Sequence, residues 1–150
     1  MDSIIKNQIL KHLKGGEAFM PLDRVLDKFT FDTVGIRMSG LPYSPYEMFY
    51  HIVFAQKDIL DFCTADEYKT HKWPDDYWPK QQAPKDKNEW ETLKQSYFED
   101  RDALIEFAQK SDLSKVVKHG TDQTLIRELL LVIEHTAYHT GQLVVLARLI

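Results

Sequence analysis

Apolar residues recur along this chain at helical spacing. Ile4, Ile5, Ile9, Leu10 and Leu13 fall three to five apart and predict one helix face. Gly15-Gly16 interrupts that helix. Phe19, Leu22, Val25, Leu26 and Phe29 resume the period, with Pro21 fit only for a helix start or a kink, so the first helical layer is predicted to be broken. Residues 30–43, with Gly35, Gly40 and Pro42, read as a loop. A strong start signal follows: Ser44 as N-cap, Pro45 at the first helical position and Glu47 at the third make a capping box. The helix they open runs to about Cys63 and is apolar nearly all round, which marks a buried helix.

Residues 64–87 carry Pro74, Pro79 and Pro84 among Trp73, Tyr77 and Trp78, and no helix survives that proline density. The connection far exceeds the ~2–8 residues that join antiparallel neighbours in a bundle. It is long enough to return the chain to the end it came from, which predicts a crossover between parallel helices. A third helix over about Lys87–Lys110 shows Trp90, Leu93, Tyr97, Leu104 and Ala108 on one face. After a loop at 111–121, a last helix from about Asp122 to Ile150 carries Leu125, Leu129, Val132, Thr136, Leu143 and Leu146. No strand alternation and no internal repeat is visible. The pattern predicts an all-α fold, one domain over residues 1–150: a four-helix bundle, up-down-down-up, with its long crossover between the second and third helices.

Composition narrows the function. The 150 residues are 43% hydrophobic and 28% charged, which suits one globular core. A net charge of −4 lacks the positive surplus that phosphate contacts need, so nucleic acid is not expected as a partner. One cysteine, Cys63, permits no internal disulfide and fits a reducing compartment. No apolar run approaches the ~20 residues of a membrane span, and Met1-Asp2-Ser3-Ile4-Ile5-Lys6 turns polar too soon for a signal peptide. A cytoplasmic location, with no membrane partner, is the expectation.

Chemistry concentrates in the histidines. Six are present, and His135 and His139 are four apart on the last helix, so they share a face and suit chelation of one ion. His51 lies in the buried second helix. It stands about two turns from that helix's start, and His139 about three turns before the end of an antiparallel partner, so their heights match. Three buried imidazoles at one height are most simply explained by a divalent metal, whereas any one alone suits a hydrogen-bonded core position. Thr136 after His135 removes the Glu base of an H-E-x-x-H zincin, and the Glu-x-x-His pairs of di-iron bundles are missing. No nucleophile elbow, P-loop or dinucleotide fingerprint is present. Three imidazoles without a carboxylate leave an open coordination position, the pattern of a catalytic site, and they suit zinc, nickel, iron or copper. Glu47, one turn before His51, is a candidate to orient it, although the capping box also accounts for it. Gln142 is a candidate to hold His139 from behind. Tyr77 and Trp78 of the crossover are candidate pocket walls at the His51 end, with the 30–43 loop beside them.

The run Ser44-Pro45-Tyr46-Glu47-Met48-Phe49-Tyr50-His51, then Ala55-Gln56-Lys57-Asp58-Ile59-Leu60, resembles the DinB-like family of damage-inducible-protein-like bundles, which includes low-molecular-weight thiol transferases. Trp73-Pro74-Asp75-Asp76-Tyr77-Trp78-Pro79 resembles one branch of it. The strongest match is His119-Gly120, Gln123-Thr124-Leu125 and His135-Thr136-Ala137-Tyr138-His139-Thr140-Gly141-Gln142. The resemblance implies a four-helix bundle in which His51, His135 and His139 hold a divalent ion, with zinc or nickel ahead of iron. It also implies a homodimer, a part in stress response, and addition of a thiol such as mycothiol or bacillithiol to a small electrophilic substrate. Two further readings stay open from the residues alone: a metal-water hydrolase, and a non-catalytic bundle that the ion stabilises.

Overall fold

In a computed structural model, residues 3–150 are described. They form five helices: α1 (Ser3–Leu13), α2 (Leu22–Leu26), α3 (Pro45–Thr64), α4 (Lys87–Lys110) and α5 (Leu125–Leu149). Among the described residues there is no strand, only an isolated antiparallel bridge between Val116 and Thr124. None of the helices is long and apolar enough to cross a membrane.

The first layer is broken as its sequence predicts. Gly15 and Gly16 take φ of +75° and +85°, a region that favours glycine, and they end α1 in a turn. The face predicted for α1 is only half used. Leu10 and Leu13 are buried, while Ile4 and Ile5 are exposed. The start of α1 instead reaches the end of α4, where Lys6 Nζ donates to the carbonyls of Gln109 (3.1 Å) and Ser111 (2.6 Å). A cation there satisfies carbonyls that a helix end leaves without partners.

Helix α3 opens with the predicted box. Ser44 Oγ accepts from Glu47 N, and Glu47 Oε2 accepts from Ser44 N at 2.8 Å. Arg37 of the preceding loop adds a two-pronged ion pair to the same carboxylate. Burial alone would raise the Glu47 carboxyl, but the Arg37 guanidinium and the Ser44 donors hold it below the ordinary carboxylate range. The stability this supplies is therefore present above about pH 4.5 and is lost as pH falls through the lowered value. Glu47→Gln should lower the melting temperature at pH 7 by a few degrees, the scale of a lost cap, roughly 0.5–2 kcal/mol. The gap from the native protein should close as pH falls through the lowered value of the Glu47 carboxyl. Thermal scans at several pH values check this, and a gap constant with pH would contradict it.

Contacts along α3 set the order of the layers. Its first half meets the first half of α4: Phe49 contacts the rings of Trp90 (5.4 Å) and Tyr97 (5.8 Å), and Tyr46 donates to Glu89 (2.7 Å). Further along, Gln56 Nε2 donates to Tyr97 O at 2.8 Å. Buried side chains form two clusters. One joins Phe49, Ile52 and Trp90 to Leu143 and Leu146 near the end of α5. The other joins Leu60, Cys63 and Leu104 to Leu125 and Leu129 near its start.

The last helix begins three residues later than its sequence period predicts. Lys115 O and Leu113 O accept from the amides of Leu125 and Ile126, and Val117 N donates to Gln123 O. Gln123 Oε1 accepts from the amides of Thr121 and Asp122. Residues 121–124 are thereby held in a folded loop rather than a helical turn.

The loop at 30–43 and the crossover are latched together over the α3 start. A Cβ on Gly35 would lie 2.4 Å from Ala83 Cβ, so the two segments approach as closely as a missing side chain allows. Gln82 Nε2 donates to Gly35 O, and Ser44 Oγ donates to Gln82 O.

Candidate metal centre

The crossover descends onto α3 and α5 at the level of the histidines. His51 (1% exposed) and His139 (8%) are buried, and His135 is half-buried. His51 Nε2 and His135 Nε2 are 2.9 Å apart. One ligand atom from each of the three rings lies within 4.8 Å of the others, a grouping that could hold a metal ion once the rings draw together. Two nitrogens each ~2.0–2.1 Å from a tetrahedral ion stand roughly 3.3 Å apart, so small ring movements would bring this set to binding geometry.

Two of the three rings are aimed by a partner outside the trio. His51 Nδ1 donates to Tyr77 O at 3.1 Å, which leaves Nε2 as the lone-pair nitrogen. His139 Nδ1 donates to Gln142 Oε1 at 2.6 Å. In both cases the bond made by one ring nitrogen leaves the other with its lone pair free to bind, the arrangement common at metal-bound imidazoles. Because His51 Nε2 is an acceptor, the proton between it and His135 belongs to His135 Nε2. A shift of that proton to Nδ1 frees the third ligand.

Burial keeps all three rings neutral. It lowers His51 to about 4, with His139 adding repulsion and the Tyr77 carbonyl opposing. Burial, then His139 and His51, lowers His135 to about 3. Burial also lowers His139, against the Gln142 bond. Neutral imidazole is the form that binds metal, so the donor set is compatible with a divalent ion at neutral pH.

Aromatic rings from the crossover cover the centre. Trp78 lies flat on His51 at 4.1 Å and flat on Tyr43 at 3.8 Å, giving a three-ring stack from the 30–43 loop to α3. Tyr77 and Trp73 meet His51 from the same segment. Two cavities flank the histidines. One, of about 310 Å³, touches His139, Trp78, Gln142 and Tyr43. The other, of about 370 Å³, touches His135, Trp73, Tyr77, Asp58 and Glu128.

The structure brings Gln142, Tyr77 and Trp78 to the imidazoles, and places Glu47 elsewhere. Its carboxylate serves the helix cap and Arg37, while the Tyr77 carbonyl does the orienting of His51 that sequence offered to Glu47. His119 is a loop anchor, donating to Ala65 O at 2.8 Å. Cys63 is 2% exposed, and burial with nearby Glu128 pushes its thiol up to about 12, so it is no nucleophile. Two residues escaped the sequence reading. Asp58 accepts from Tyr68 (2.8 Å) and from Tyr77, and Glu128, in the first turn of α5, is 2% exposed. The available signal was an acidic residue interrupting an otherwise apolar helix.

Compared with known proteins, residues 21–150 match the model of a family described as the DinB family. No curated protein and no solved structure matches the chain.

Proposed function

The chain belongs to the DinB family, and from that premise we propose that His51, His135 and His139 hold one divalent ion and that the centre activates a small thiol for attack on an electrophile. The observation that carries this reading is the convergence of three neutral imidazoles, two of them oriented by partners, with cavities reaching two of the three. A divalent ion held by His51, His135 and His139 would lower the pKa of a thiol brought to it below the free value of ~8.5.

The protein's own residues would do the rest. Tyr77 O and Gln142 Oε1 fix the rings, Trp78 excludes water from the His51 side, and the cavities hold two reactants against the centre. Ionisation contributes at most a few tens of fold, since at pH 7 a few per cent of a free thiol is already thiolate. Holding the electrophile beside it must supply more. Two cavities favour transfer between two molecules over an ion that only stabilises the fold. The same reading takes the helices as an up-down-down-up bundle, supported by the pairing of α3 with α4 start to start and with α5 start to end. It takes the chain as a homodimer, with Tyr138, Val145 and Leu149 exposed on α5 as the surface offered.

Cobalt-substituted protein tests the thiol step. Adding a small thiol should produce a sulfur-to-metal charge-transfer band, and the same thiol should support turnover of a simple electrophile such as a haloalkane or epoxide. A cobalt spectrum unmoved by every thiol tried would end the transferase reading and leave the hydrolytic and structural ones.

A further inference from the structure

The cavity beside His135 has a character of its own. Its volume of about 370 Å³ sits at the low end of the ~300–1,000 Å³ of small-molecule sites. Two carboxylates, Asp58 and Glu128, face it, and among the described residues no lysine or arginine lines it. Asp58 is held by the hydroxyls of Tyr68 and Tyr77, neutral donors that fix the carboxylate without cancelling its charge. His71 stands 3.9 Å from it. Glu128 has a side chain only 3% exposed, and Arg127 donates to its Oε1 from outside the cavity. Arg127 engages Oε1 alone; among the described residues Oε2 takes no protein donor, and it is not one of the oxygens sealed away from solvent. A ligand that brings a donor to that open oxygen would make a charge-assisted bond inside the cavity.

The walls are aromatic. Trp73 and Tyr77 meet edge to face at 5.1 Å, and Phe62 and Tyr68 at 5.2 Å. Ring faces attract cations, and they give an apolar body a surface to pack on. Neither carboxylate belongs to a set of three converging metal ligands among the described residues, where only the three histidines form one. An organic cation therefore suits this place better than a second metal ion.

We propose that this cavity binds a compact organic cation, an ammonium group on an apolar body, with Asp58 and Glu128 as counter-charges and Trp73 and Tyr77 as walls. The site deepens the transferase reading, since such a ligand would lie against His135 and be presented to the centre. Its binding does not depend on the metal.

Calorimetric titration of metal-free protein with 2-phenylethylamine at pH 7, beside the neutral isostere 2-phenylethanol, tests the proposal. The amine should bind about ten-fold or more tightly than the alcohol, as expected for a charge-assisted bond. Glu128→Gln, which keeps shape and removes charge, should weaken the amine about ten-fold and leave the alcohol unchanged. Trp73→Leu changes a ring that is 64% exposed, and should weaken the amine about three-fold or more. Equal binding of amine and alcohol, no binding of either, or an amine affinity indifferent to both variants would overturn the proposal. Amine binding in protein that takes up no metal would retain this site while removing the metal centre, so the two failures are distinguishable.

Discussion

His135→Ala is expected to take the metal content of protein purified without a metal-affinity tag from about one ion per chain to nearly none. The three rings are grouped closely enough to serve as one ligand set, with His51 Nε2 and His135 Nε2 2.9 Å apart and His139 in the same group. Two imidazoles on α5 or one pair across the helices cannot replace a three-point site. An ion bound only by the folded protein, at a hundred times its dissociation constant, adds ~2.7 kcal/mol of stability. For a chain of this length that is a melting-temperature loss of roughly 5–10 °C. Chelator-treated native protein is the control. Once stripped, it should melt close to the stripped variant, since most of the difference is the ion. His51→Ala combined with His135→Ala should lose little beyond either alone, because residues that share one ligand do not add. Unchanged metal content in His135→Ala, by elemental analysis, would refute the shared centre.

The sequence carried these three histidines because their spacing is a local property. An i, i+4 pair needs only a helix, and a polar ring inside an apolar helix stands out from its neighbours. The α3 start was legible for the same reason: Ser44, Pro45 and Glu47 make a cap within four residues. What the sequence withheld depends on distant chain. Tyr77 orients His51 through a backbone carbonyl, an atom every residue has, so no residue type signals it. Glu128 reads as an ordinary acidic residue in a first helical turn, and only the packing of α3 and the crossover against that turn buries it. Ile4 and Ile5 show the reverse limit, since a helical period marks an apolar face without saying how much of it is buried. The start of α5 moved for a similar reason, its first predicted turn being claimed by Gln123 and by carbonyls of the preceding loop.

Phe49→Ala should be the most destabilising single change in the core, and it should leave the metal ligands in place. Phe49 is fully buried, with its ring edge-on to Trp90 at 5.4 Å and tilted on Tyr97 at 5.8 Å. Removing a buried phenylalanine costs ~3–5 kcal/mol, from lost transfer energy and the cavity left behind. Rigid aromatic neighbours on α4 cannot collapse fully into that space, and their edge contacts are lost as well. A domain of this kind has only about 5–15 kcal/mol in total, so the melting temperature should fall by roughly 10–15 °C. Phe49→Leu keeps most of the volume and should cost much less, about 1–1.5 kcal/mol. Two residues along a helix turn the side chain by about 200°, so Phe49 faces α4 while His51 faces α5 and the crossover. Metal content measured well below the melting transition should therefore stay near one ion per chain in Phe49→Ala. Scanning calorimetry gives the first quantity and elemental analysis the second. A loss under about 1 kcal/mol would mean that α3 does not pack on α4 through this ring. A full loss of metal in still-folded protein would mean that the core and the centre are one cooperative unit rather than opposite faces of one helix.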